Sequence, residues 1–222
     1  MDGCSTIISH GKGKLYRVGP LPSKTIKKCV PDVVKLLTKR PLITIMGRPC
    51  RQQRNVGFFS DVCKGYMYSG RMMPSLPMSA NLLALLQEVN QSVVWVTQLS
   101  SRDLRVILIL TVAPTSSQPV PFNSILVNEY PNGDHYISAH SDSKVGIDPA
   151  CAAVATISIG AVRKFRVRDK ETSARVKDIS LLPHYVYVME GEFQKHYTHE
   201  IPKQAKKRAR ISFTFRRHTL NK

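Results

Sequence analysis

Leucine and valine recur at helical spacing between residues 79 and 93, at Leu82, Leu83, Leu85, Leu86, Val89 and Val93. Ser79 stands just before them, where a hydroxyl can accept a free N–H of the first turn, so a helix opening at Ser79 is predicted. A shorter series, Ile26, Val30, Val33, Val34 and Leu37, predicts an earlier helix over 25–37 with Ser23 as its cap. Pro31 interrupts that series and offers an alternative first turn. Leu42-Ile43-Thr44-Ile45-Met46 reads as a strand, and 47–70 as loops with short strands, rich in arginine and aromatic residues. For 106–112 periodicity does not decide between a strand and a buried helix end, and 114–121 reads as a turn-rich connector.

From Phe122 the pattern shortens. Short β-rich runs are predicted at 123–130, 135–140, 153–159, 164–168, 175–181, 185–189 and 210–216, separated by turn residues such as Pro131-Asn132-Gly133-Asp134 and Glu190-Gly191. Helices fall early and strands late. This predicts one α+β domain whose working half is the strand-rich C-terminal part, a sandwich or barrel.

Composition bounds the picture. A chain of 222 residues with 42% hydrophobic content buries a proper core and suits a single domain. No apolar run approaches the ~18 residues of a spanning helix, and the first ten residues lack the basic-then-apolar order of a signal peptide. A soluble intracellular protein, nuclear or cytoplasmic, monomeric and neither secreted nor membrane-bound, is expected. Five scattered cysteines without a C-x-x-C pair favour free thiols over a disulfide framework or a cysteine zinc site.

The net charge of +18 is unevenly spread. Residues 1–55 hold 12 Lys+Arg against Asp2 and Asp32, a net of +10, and residues 194–222 hold nine against Glu200, a net of +8. The stretch 56–193 carries 12 of each sign. A polyanion is the natural partner, nucleic acid before an acidic membrane, with a merely solubilising surface as the alternative.

One cluster suggests chemistry. His140-Ser141-Asp142 closes a predicted strand, and residues two apart on a strand share a face, so both side chains can approach one metal. A third ligand from a distant strand would complete a two-histidine, one-carboxylate triad, which leaves open positions on Fe(II). In His196-Tyr197-Thr198-His199-Glu200-Ile201-Pro202 both histidines are open for that place. Further on, Arg210, Ser212, Thr214 and Arg216 share one strand face and Ile211, Phe213 and Phe215 the other. Two arginines on one face call for acidic partners, and a bidentate carboxylate contact is the obvious use.

Together, Asn128-Glu129-Tyr130, His140-Ser141-Asp142, Ile159 to Phe165, His199-Glu200-Ile201-Pro202 and Arg210 to Arg216 resemble the AlkB family of Fe(II)/2-oxoglutarate-dependent dioxygenases, over most of the chain. The resemblance implies a double-stranded β-helix (jelly-roll) core over about 122–217 with supporting N-terminal helices. The dioxygenase domain would run over 41–218, with a nucleotide-recognition region near 47–75, and 1–40 would be a basic extension and first helix. It implies that His140, Asp142 and His199 bind Fe(II), His199 being taken because the apolar-Pro pair Ile201-Pro202 follows it. Arg210 would hold the distal carboxylate of 2-oxoglutarate, with Asn128, Tyr130 and Ser212 beside the co-substrate and Arg216 near its metal-binding end. Tyr68 would stack on a flipped base, with Tyr66 supporting it.

The implied activity is oxidative demethylation of N-alkylated bases such as 1-methyladenine and 3-methylcytosine in DNA or RNA. It consumes 2-oxoglutarate and dioxygen and releases formaldehyde. Two other readings are a dioxygenase acting on a protein or small molecule, and a nucleic-acid-binding module without turnover. Ser143 and Lys144 depart from the family, many members of which carry an acid after the metal aspartate. A lysine there repels a cationic base unless it points outward, and Asp134 or Asp148 would have to supply the acid. Arg48, Arg51, Arg54, Lys203, Lys206, Lys207 and Arg208 are expected to hold phosphates, leaving the base site to the balanced middle of the chain.

Overall fold

The computed structural model describes residues 4–10, 13–45, 47–100, 122–151 and 153–220. The runs predicted over 106–112 and 114–121 lie outside them. In chain order the elements are β1 (Cys4–His10), β2 (Gly13–Val18), α1 (Ser23–Val34), β3 (Leu42–Ile45), β4 (Arg48–Arg51), β5 (Asn55–Phe59), β6 (Gly65–Tyr68), β7 (Arg71–Leu76) and α2 (Ala80–Ser100). They continue with β8 (Ser124–Tyr130), β9 (Ile137–His140), β10 (Val154–Gly160), β11 (Arg163–Asp169), β12 (Arg175–Leu181), β13 (Val186–Gly191), α3 (Phe193–His196), β14 (Tyr197–Ile201) and β15 (Arg210–Arg216).

The strands form a nine-stranded sheet in the order β1-β2-β13-β10-β15-β8-β5-β7-β6 and a four-stranded sheet in the order β12-β11-β14-β9, with β3-β4 as a separate hairpin. Strand β15 lies at the centre of the large sheet, between β10 and β8, in a register that sets Ser212 beside Ser158 and Asn128. Its alternation then decides the layers. Phe213, Phe215, Ile157 and Val127 point to one side and form a core with Ile26, Cys29 and Val33 of α1 and Leu82, Leu85 and Val89 of α2. On the other side Tyr130, Val154, Tyr187 and Met189 pack against Phe165, Val167, Ile179 and Ile201 of the small sheet. The polar face of β15 therefore looks into the space between the two sheets, as in a jelly roll.

The helix opening at Ser79 forms with that cap, whose hydroxyl accepts the Leu82 N–H at 3.2 Å while donating to Asp32 at 2.6 Å. The earlier helix differs from its prediction. It starts at Ser23 itself, with Pro22 at the cap and no side-chain cap bond, and it ends at Val34. Pro31 lies inside the helix rather than in its first turn. Residues 1–40 do more than extend the domain: β2 pairs with β13 inside the large sheet, because Leu15, Tyr16 and Val18 are buried there. Strands β7 and β14 also go beyond the predicted set.

One residue ties the loops around the small sheet. Arg163 is fully buried, yet no carboxylate among the described residues pairs with it. Its guanidinium donates instead to the carbonyls of Asn132, His135 and Pro202 at 3.1, 2.9 and 2.8 Å, and to Gln204 Oε1 at 3.3 Å. These carbonyls precede β9 and follow β14, the two strands that carry His140 and His199. Arg163→Met leaves them unsatisfied and is expected to cost about 3 kcal/mol, read as a fall in the urea midpoint at constant m-value. Arg163→Lys should recover only part of this, since one ammonium cannot reproduce the planar fork. A change under about 0.5 kcal/mol for the Met variant contradicts the role given to Arg163.

Candidate active site

Period-two geometry brings the chemical groups together. Strands β9 and β14 are neighbours, and His140 stands opposite His199 in their register, with the ring centroids 4.5 Å apart. Asp142, two residues beyond His140, returns to the same place: its Oδ1 is 3.6 Å from His140 Nε2 and 3.8 Å from His199 Nε2. Ligand atoms from the three residues lie within 4.8 Å of one another, the sole such cluster among the described residues. His196, the other histidine open for the third place, points instead to Glu192 at 3.2 Å.

Neighbouring groups hold this cluster in form. His140 Nδ1 lies 2.8 Å from the Ser138 carbonyl, which can only accept, so Nδ1 donates there and Nε2 is the nitrogen turned to Asp142. Ser141 donates to the Tyr197 carbonyl at 2.8 Å, and the Asp142 N–H donates to Gln194 Oε1 at 2.9 Å. Arg216, at the end of β15, donates from Nη2 to Asp142 Oδ1 at 2.8 Å. Burial works to raise the Asp142 pKa, but Arg216 and the two imidazoles overcome it and hold the carboxyl well below its usual range. Burial pushes the His199 imidazole down to about 3, the neighbouring His140 adding to the shift, so the ring is neutral near pH 7. Two imidazole nitrogens and an ionised carboxylate, with Asp142 Oδ2 buried and unpartnered among the described residues, suit a divalent transition metal.

The cluster stands in a cleft of about 570 Å³ lined by Tyr68, Asn128, Tyr130, Arg210, Ser212 and Arg216 among others. Arg210 is fully buried over the Tyr130 ring, 5.6 Å from its centroid, and has no ion-pair partner among the described residues. Its Nε is buried without a hydrogen bond, and desolvation lowers its pKa to about 10. A guanidinium in that state fits an anionic ligand. Tyr66 and Tyr68 stack at 6.3 Å, Tyr66 buried behind and Tyr68 edge-on to His140 at 6.5 Å.

The expected phosphate contacts divide. Arg48 and Arg51 are exposed on β4, and Lys203, Lys206 and Arg208 are exposed between β14 and β15, with Lys207 half-buried. Arg54 is different. It is 4% exposed, its Nε donates to Asn128 Oδ1 at 2.7 Å, and its guanidinium lies 5.3 Å from the Tyr68 ring centroid. It lines the cleft and is not on the surface, because a polar partner on β8 and an aromatic face offset the cost of burying it. The basic ends of the chain therefore reach the cleft, through Arg54, Arg210 and Arg216, and the separation of a neutral middle from charged ends does not hold in space.

Lys144 does not line this cleft. It borders a separate pocket behind Asp142 with Asp148 and Glu192, and so leaves the Tyr68 side clear. Neither Asp134 nor Asp148 lines the cleft, and Asp148 pairs with Arg217 at 2.8 Å. Sequence reasoning missed Gln194, Arg163 and the cleft position of Arg54. Their partners are a backbone N–H, loop carbonyls and a residue 74 positions away, none of which leaves a local pattern.

The model for the 2OG-Fe(II) oxygenase superfamily matches residues 15–216. Among curated proteins, the chain is 35% identical over 105 residues to alpha-ketoglutarate-dependent dioxygenase alkB homolog 3 of Bos taurus, which covers 43% of this chain and 36% of that protein. It is 33% identical over 109 residues to DNA oxidative demethylase ALKBH2 of Homo sapiens, covering 46% and 41%. To ALKBH2 of Arabidopsis thaliana it is 27% identical over 201 residues, covering 80% and 57%. The chain thus spans little more than a third of the first of these relatives and under two thirds of the others. A solved structure, that of OsALKBH1, superposes with a TM-score of 0.58 at 12% identity over 96% of this chain and 100% of that one, which speaks for the fold alone. No helix among the described residues is long and apolar enough to cross a membrane.

Acid should destabilise the metal-free protein in a defined window. Burial lowers His199 to about 3 and His218 to about 4, whereas in the unfolded chain both titrate near 6.5. Below pH 6.5 the unfolded state takes up protons that the folded state refuses, so stability falls as pH falls, by about 1.4 kcal/mol per pH unit for each group. Urea midpoints between pH 7.5 and 4.5 should show this slope, and His218→Asn should remove about half of it. A flat profile contradicts the burial of neutral imidazoles.

Proposed function

The chain belongs to the 2OG-Fe(II) oxygenase superfamily, and on that premise we propose that it is an AlkB-type dioxygenase that removes alkyl groups from bases of DNA or RNA. The observation that carries this reading is the cluster of His140, Asp142 and His199 at a cleft that also holds Arg210, a buried cation without a carboxylate partner among the described residues. Bound at the cluster, Fe(II) supplies the activation of dioxygen that side chains alone cannot provide.

The rest of the work belongs to the protein. Nε2 of His140, Nε2 of His199 and the Asp142 carboxylate are the ligand set, and Gln194 and Ser138 keep it oriented. Arg210 takes the distal carboxylate of 2-oxoglutarate, with Tyr130 and Asn128 along its length and Arg216 holding Asp142 at the metal end. Ser212 lies between the two arginines, opposite Asn128, on the same strand face. Tyr68 offers its ring to a base taken out of the stack, and Tyr66 backs it. In the overall balance one dioxygen is consumed, one oxygen atom going into succinate as 2-oxoglutarate loses carbon dioxide and the other to the methyl carbon, which leaves as formaldehyde; the ring nitrogen of 1-methyladenine or 3-methylcytosine regains its lone pair and a proton is released.

The exposed cations suit a phosphate backbone. Lys203 lies 5.1 Å from the ring of Tyr136, which borders a groove that meets the cleft at Arg54, Tyr68, Ile137 and His140. Arg48, Arg51, Lys206, Lys207 and Arg208 contribute further positive charge.

Two outcomes test this reading. Iron-loaded protein given 2-oxoglutarate and oligonucleotides with alkylated bases, 1-methyladenine and 3-methylcytosine among them, is expected to release formaldehyde and unmodified base by mass analysis. Decarboxylation of 2-oxoglutarate with no turnover of any methylated nucleic acid points instead to a protein or small-molecule substrate. His140→Ala and His199→Ala should abolish both turnover and Fe(II) binding, whereas Gln194→Ala should weaken metal binding by roughly 10–100-fold. Replacing Lys206, Lys207 and Arg208 with glutamine should weaken oligonucleotide binding and lower its salt slope by two to three while sparing iron loading. Equal loss of iron loading contradicts a phosphate-binding role.

A further inference from the structure

The charge lining the cleft has a sign. Its lining residues include three guanidiniums, of Arg54, Arg210 and Arg216, and one carboxylate, that of Asp142. The two charges of Fe(II) and the two of 2-oxoglutarate cancel, so the lining leaves an excess of two positive charges around an incoming base. The adjoining groove, lined by Ile43, Cys50, Arg51, Gln52, Gln53 and Tyr136 among others, has no carboxylate among the described residues that line it. Asp142 is already engaged by Arg216 and the two histidines. Glu129 turns out of the cleft to accept from Asn55 at 2.7 Å.

Arg54 is the cation over Tyr68, while Arg216 lies behind it, 5.0 Å from the centroid of Tyr66. Of its five N–H donors, Nε is used on Asn128, and the terminal nitrogens have no hydrogen bond among the described residues. The guanidinium lies over Tyr68 and is buried, where water screens it little. Gln52, which lines the groove where it meets Arg54, is also buried, and neither polar atom of its amide has a partner. The polar equipment around the platform is thus cationic or neutral. It can donate to a carbonyl oxygen, and among the described residues the one carboxylate of the lining, Asp142, is the one held by Arg216 within the metal cluster.

We propose that the cleft selects an uncharged alkylated base bearing a ring carbonyl, such as 3-methyluracil or 3-methylthymine, over the cationic 1-methyladenine and 3-methylcytosine, with Arg54 donating to that carbonyl. This rests on the nucleic-acid reading above and names the substrate class within it. 3-Methyluracil and 3-methylcytosine make the cleanest comparison, since both carry the methyl group on N3. At C4 one has a carbonyl that accepts and the other an amino group that donates and shares the positive charge.

Single-stranded oligonucleotides differing only in that base separate the possibilities, read both as kcat/KM with the iron-loaded enzyme and as equilibrium binding to the iron-free protein. The native chain is expected to favour 3-methyluracil by on the order of tenfold or more in both measurements. Arg54→Met should lower 3-methyluracil turnover and raise 3-methylcytosine turnover, shrinking the ratio by on the order of tenfold. The ratio is taken within each variant, so a general loss of activity cancels. Arg54→Lys keeps the charge and should still reject 3-methylcytosine while handling 3-methyluracil less well. Turnover that favours 3-methylcytosine in the native chain, or a ratio unmoved by Arg54→Met, overturns this inference and leaves the dealkylase reading standing. Absence of binding and turnover with every methylated oligonucleotide overturns both.

Discussion

A buried carboxylate must be compensated, and at Asp142 that requirement links the two halves of the fold. Asp142 follows the last strand of the small sheet, and Arg216 ends the central strand of the large one. Their contact at 2.8 Å spans the space between the sheets. Without Arg216 the carboxyl would be driven by desolvation toward its neutral form, and a neutral acid is a poor metal ligand. The pair also fixes where β9 and β14 must lie, because both histidines converge on the same oxygen. Arg163 does comparable work from below, holding the loops that lead into β9 and out of β14 by their carbonyls.

Electrostatics in this molecule follow the fold and not the order of residues. Counting charge along the chain separates basic ends from a balanced middle. Folding brings both ends to the middle: β15 runs between β8 and β10, and the segment before β5 delivers Arg54 to Asn128. The cleft at the cluster is then lined by three arginines, Arg54, Arg210 and Arg216, against one carboxylate, Asp142. Lys144, two residues after Asp142 and an obstacle in the linear reading, borders a different pocket and does not line the cleft.

Much of the site was legible because its geometry is local. His140 and Asp142 are two apart, and the alternation over 210–216 set Arg210, Ser212 and Arg216 on one face, with the strand observed over the same seven residues. The helix cap at Ser79 was readable for the same reason. Tertiary partners decided what was not legible. Strand β14 carries His199 in a stretch outside the predicted β-rich runs, and it becomes a strand by pairing with β9 and β11. Strands β1 and β2 acquire their place from β13, far along the chain. For Arg54 the sequence showed the charge but not the burial, since Asn128 and Tyr68 are assembled around it only on folding. The shift of α1 to Ser23–Val34 shows that Pro31 sits within a helix when the apolar face, Ile26, Cys29 and Val33, is firmly packed.

The central claim is that one cluster holds the metal and one buried arginine holds its co-substrate. Crystals grown without oxygen in the presence of Fe(II) and 2-oxoglutarate, measured on both sides of the iron absorption edge, test it most directly. The account predicts a single anomalous peak coordinated by His140, Asp142 and His199, with a carboxylate of 2-oxoglutarate on Arg210. A peak elsewhere, or 2-oxoglutarate bound away from Arg210, would contradict it.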